Sequence, residues 1–82
     1  MSKTINSPVA VTAIGFGRDL RAYPRRIEFE GRSYSFIDAG LRTVIKKGER
    51  IAQILTMTDG DEQFRLRSDN QGSSWTLLSI GQ

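Results

Sequence analysis

The sequence predicts an α+β domain that is mostly β: a small antiparallel sheet or open barrel in the order β-β-β-α-β-β-β, with one short helix near residues 39–47. Three observations lead there. Short segments of apolar-polar alternation recur between Gly-containing turns, as strands with one buried face require. The apolar residues, 38% of an 82-residue chain, are spread along it, which is enough for one small core and leaves no apolar run of about 20 residues. A single segment changes its apolar spacing from two to three and four.

Residues 1–7 are polar with one Lys and are expected to be a flexible N-terminus, with residues 8–82 forming a single compact domain. They lack the apolar stretch of a secretory signal, so the expected location is cytoplasmic. Pro8 to Ile14 has the β-branched content of a first strand. Gly15-Phe16-Gly17 interrupts it, and residues 15–24 read as a loop that Pro24 closes. In the next hairpin Ile27 and Phe29 alternate with Arg26, Glu28 and Glu30. A type II′ turn at Gly31-Arg32 would pair Phe29 with Tyr34 and Ile27 with Phe36.

Leu41, Val44 and Ile45 then fall at helical spacing. Asp38 is placed to cap the first turn, Lys46 and Lys47 lie in the last, and Gly48 stands beyond. Three strands follow as a meander. Pairing Thr58 with Gln63 sets Met57 against Phe64 and Leu55 against Leu66; pairing Ser68 with Ser73 sets Leu66 against Trp75 and Phe64 against Leu77. Thr56, Thr58, Gln63, Arg65, Arg67, Ser74 and Thr76 then occupy the other side. Ile54, Leu78 and Ile80 land there too, which marks a candidate interface.

With neither Cys nor His, the chain has no disulfide, no thiolate metal site and no imidazole base. Catalysis would fall to carboxylates, Lys, Tyr or Ser. Glu28 and Glu30 on a hairpin's solvent side, and Lys46 and Lys47 at a helix end, lack the burial that tunes a catalytic pKa. No catalytic residue, metal or cofactor is therefore expected. Gly15-Phe16-Gly17 lacks the third Gly and crossover helix of a dinucleotide loop and reads as a bend. The loops Asp59-Gly60-Asp61-Glu62 and Asp69-Asn70-Gln71-Gly72 lack calcium-loop spacing and read as hairpin turns.

The net charge is +3, and the basic residues come early: residues 1–50 carry ten Lys or Arg against five Asp or Glu, residues 51–82 two against four. Nine of the twelve cations are Arg, whose planar fork suits phosphate and carboxylate. Arg18, Arg21, Tyr23, Arg25 and Arg26 could track a phosphate backbone while Tyr23 or Phe16 stacks on a base, and Arg65 and Arg67 form a second row. The expected function is a non-catalytic binding module for an anionic partner, either nucleic acid, the first choice, or an acidic protein surface; no membrane partner is expected. Arg26 is expected to share a surface with Arg65 and Arg67. The alternative is a protein-interaction or self-assembling module, forming a homo-oligomer through sheet edges and the patch of Ile54, Leu78 and Ile80.

Overall fold

The computed structural model describes residues 3–69 and 74–81. They form eight strands: β1 (Lys3–Pro8), β2 (Ala10–Phe16), β3 (Ala22–Phe29), β4 (Arg32–Ser35), β5 (Leu41–Lys47), β6 (Arg50–Thr58), β7 (Gln63–Asp69) and β8 (Ser74–Gly81). One antiparallel sheet runs β1-β8-β7-β6-β5 and a second runs β2-β3-β4. The molecule is all-β, and the described residues contain no helix, let alone one long and apolar enough to cross a membrane.

The two sheets pack face to face because each carries one apolar side. Leu55, Met57, Phe64, Leu66 and Leu77 come from the large sheet; Ile27 of β3 and Phe36, just past β4, come from the small one, and all seven are buried. The Phe64 ring lies at the centre, 5.0 Å from Tyr34 and 5.1 Å from Phe36, in tilted and edge-to-face arrangements that aromatic quadrupoles favour. Ile37 ties the sheets together at one edge, its N–H donating to the Thr58 carbonyl at 3.0 Å.

The expected helix near 39–47 is instead strand β5, so the α+β order gives way to an all-β one. Leu41 to Lys47 pairs residue by residue with Thr56 to Arg50, and a two-residue Gly48-Glu49 turn closes the hairpin. The Thr43-Val44-Ile45 run is β-branched, which costs a helix side-chain freedom and suits a pleated sheet. A nine-residue helix would in any case have been marginal in isolation. β1 falls inside the stretch expected to be a flexible lead-in and pairs with β8. The expected 15–24 loop shortens to residues 17–21, since Phe16 pairs with Ala22.

β6 and β7 pair as their spacing predicts, Met57 opposite Phe64 and Leu55 opposite Leu66. The other two registers move by two residues, which preserves the buried face. In β3–β4, Phe29 pairs with Arg32 and Ile27 with Tyr34. The turn is Glu30-Gly31, with φ of 50° and 75°, so both central residues are left-handed as in a type I′ turn, not the expected II′. In β7–β8, Ser68 pairs with Trp75 and Leu66 with Leu77; the expected partner Ser73 and its turn at 70–72 lie outside the described residues. A bulge at Leu78 then lets Phe64 pair with Ile80. That extra residue restores Ile80 to the core side, where it packs against the buried cluster and not on the expected polar face.

Candidate anion-binding cleft

The β2–β3 hairpin overhangs the β5 side of the large sheet, and two adjoining clefts open between them. The larger, about 790 Å³, is lined by Phe16, Arg18, Tyr23, Arg42 and Gln63 among others, and by Asp19 and Asp38. The smaller, about 410 Å³, is lined by Ile14, Arg21, Ala22, Tyr23, Pro24, Arg42, Gln53, Ser68 and Trp75, with no carboxylate. Tyr23 and Arg42 belong to both.

Each wall has a local cause. The hairpin tip is a tight loop in which the Leu20 N–H donates to the Gly17 carbonyl at 2.9 Å and the Gly17 N–H to that of Arg21 at 3.0 Å. Asp19 Oδ1 accepts the Arg21 backbone N–H at 3.0 Å, which makes it a turn residue; its other oxygen lies 3.9 Å from the Arg21 guanidinium. That ion pair is exposed and contributes little. Asp38 Oδ1 accepts the Gly40 N–H at 2.8 Å in a similar local turn. Both carboxylates of the larger cleft thus already hold backbone amides.

Arg42 lies on the inner side of β5, opposite Leu55, and spans the gap between the sheets. Its guanidinium donates to the Ala22 carbonyl of the small sheet at 3.1 Å and to the Gln53 side-chain oxygen of β6. Those bonds use two of five donors and hold the group rigid between two walls. Tyr23 is fixed by close approach: a Cβ added at Gly15, its partner across β2–β3, would stand 2.7 Å from Cζ and the hydroxyl of its ring. Only a residue without a side chain lets the ring lie there.

The structure separates the other basic residues. Arg26 points outward from the small sheet, its Nε donating to Thr12 Oγ1 at 2.9 Å, and Arg25 is exposed at the neighbouring register shift. Arg65 and Arg67 alternate with buried Phe64 and Leu66 and so face outward from the large sheet, beside Thr56 and the half-buried Ile54. The outer faces of a two-layer sandwich are opposite sides of the molecule, so Arg26 does not share a surface with Arg65 and Arg67 as expected. Leu78 is the half-buried bulge residue and Ile80 is turned to the core, so the patch of Ile54, Leu78 and Ile80 is not one surface. Of the sequence-derived cluster, Arg18, Arg21 and Tyr23 meet at the clefts.

Arg42 and Trp75 escape the sequence reading. The helix assignment hid Arg42 and the core assignment absorbed Trp75, which is only half buried. Chain-wide comparison with protein-family models, curated sequences and solved structures gives no match.

Proposed function

We propose that this protein is a non-catalytic binding module, cytoplasmic in location, that takes single-stranded nucleic acid along the paired clefts. The observation that carries the reading is the smaller cleft, where Arg21 and Arg42 stand with Tyr23 and Trp75 and no carboxylate is part of the lining, Asp19 meeting Arg21 only in an exposed ion pair. Guanidinium groups that line one cleft with aromatic side chains match a phosphate and the base attached to it. Arg18 and the 70% exposed Phe16 continue the same chemistry into the larger cleft. A concave site suits an unstacked base, whereas a duplex presents its bases edge-on and demands a protruding element.

The test uses a built-in reporter, since Trp75 is the chain's single Trp. Titration with single-stranded oligonucleotides at low salt is expected to quench its fluorescence and raise the anisotropy of a labelled strand, with duplex DNA binding more weakly. Three phosphate contacts, through Arg18, Arg21 and Arg42, predict a slope of log K against log salt near about −2. Arg21→Ala with Arg18→Ala should weaken binding at least tenfold while Arg26→Ala changes it little. Absence of binding at low salt, or equal losses from Arg26→Ala, defeats the proposal.

A further inference from the structure

On the inner face of the large sheet, one row of directly opposed residues reads Leu55, Leu66 and Leu77, all fully buried. The next row on that face reads Gln53, Ser68 and Trp75, and it lines the smaller cleft. Leucines there would extend the core beneath the β2–β3 hairpin, so packing does not account for the polar pair. Ser68 is only 5% exposed, and among the described residues its hydroxyl has no hydrogen-bond partner. Gln53 accepts one bond from Arg42. A guanidinium carries donors alone, so the atom it meets is the amide oxygen, and the amide nitrogen is the end left for a ligand. Arg21, Arg42 and the Trp75 indole likewise only donate, which leaves the Ser68 and Tyr23 hydroxyls as the free side-chain acceptors of the lining.

We infer, resting on the single-strand reading above, that Gln53 and Ser68 make the smaller cleft selective for a keto pyrimidine, thymine or uracil, over cytosine. The edge of such a base carries two carbonyl oxygens with one ring N–H between them. One carbonyl accepts from the Gln53 amide nitrogen, the ring N–H donates to the Ser68 hydroxyl oxygen, and the second carbonyl adds an acceptor to a lining rich in donors. Cytosine has the same size but carries an amino group in place of one carbonyl. In the same pose that amino group faces the Gln53 amide nitrogen, donor against donor, and neither is satisfied. The other groups of the cleft are indifferent to this exchange. Tyr23 and Trp75 can stack on any base, and Arg21 and the remaining donors of Arg42 serve the phosphate, which carries no sequence information.

The test compares four labelled single strands of equal length, oligo-dT, oligo-dC, oligo-U and oligo-C, by anisotropy at one salt concentration. Oligo-dT is expected to bind about tenfold more tightly than oligo-dC, and oligo-U than oligo-C, while the two keto strands compared with each other report the sugar. Gln53→Glu keeps an oxygen for Arg42 and puts a second oxygen where the amide nitrogen stood, so it should reverse the preference toward cytosine, whose amino group a carboxylate accepts. A far-ultraviolet spectrum unchanged from the parent shows that the variant is folded. Arg21→Ala should weaken all four strands alike and leave the ratios as they were, which separates base selection from phosphate binding. Equal binding of keto and cytosine strands by the parent, or the parent's preference retained in folded Gln53→Glu, overturns the inference while leaving the single-strand reading intact. Failure of every strand to bind at low salt defeats that reading and the selectivity together.

Discussion

Tyr23 shows how one residue's position can rest on another's lack of a side chain. Its ring occupies the space over Gly15 and forms part of both clefts. In Gly15→Ala the new methyl would meet the far end of the Tyr23 ring, a group that can swing aside without moving backbone. Stability should therefore fall by only about 1 kcal/mol, as for a modest rotamer or packing strain, while oligonucleotide affinity drops as much as in Tyr23→Ala. Parallel melting and fluorescence titrations separate the two effects. Equal affinity for the variant and the parent would show that the ring's location is irrelevant to binding. Arg42 makes the complementary point. In the sequence it is one cation in a basic stretch, and only the pairing of β5 with β6 directs it between the sheets.

At the level of elements, the β6–β7 hairpin organises itself locally. Asp59 Oδ1 accepts the backbone N–H groups of Glu62 and Asp61, each at 2.9 Å, and the Thr58 hydroxyl donates to the Glu62 carbonyl at 2.8 Å. The amide bonds, that of Glu62 foremost, hold the Asp59 carboxyl below its ordinary value of 3.8 against the opposing effect of burial. Because the folded-state value is depressed, the stabilisation is complete above the unfolded-state value and is lost as pH falls through the folded-state one. Asp59→Ala should lower the melting temperature at pH 7 by about 4–8 °C, for a loss of about 1 kcal/mol, and should soften the decline below pH 4. Melting curves at pH 7 and pH 3 check this, and an unchanged acid limb in the variant would contradict it. This hairpin was legible in the sequence because strict alternation and an Asp-Gly turn point to one register. β5 was not, since Leu41, Val44 and Ile45 satisfy a helical spacing while the strand they form is an edge whose apolar residues are exposed on both faces. Such a strand has no reason to alternate. The two-residue slips elsewhere have a similar cause: they conserve the buried face, so hydrophobic pattern alone does not distinguish them.

For the whole molecule, five strands against three leave the large sheet wider than its cover, and the clefts and the β5 edge both lie where the cover ends. The sequence brought Arg18, Arg21 and Tyr23 together because they are neighbours in the chain. It mixed in Arg25, Arg26, Arg65 and Arg67 because assignment to one outer layer or the other depends on which sheet a strand joins. The kink at Asn6 and the terminal Pro8 of β1 have a consequence for growth. A strand that joined β5 would leave the sheet's opposite end on β1, whose irregular backbone is a poor template for further addition. Concentrated protein is expected to remain as discrete particles without thioflavin T signal. Asn6→Val with Pro8→Val, by flattening that edge, should let it accept further strands, seen as turbidity that rises with concentration; a clear, dye-negative solution of the double variant would count against the role given to β1. The irregular strand thus acts as a stop codon for the sheet, fixing where addition ends.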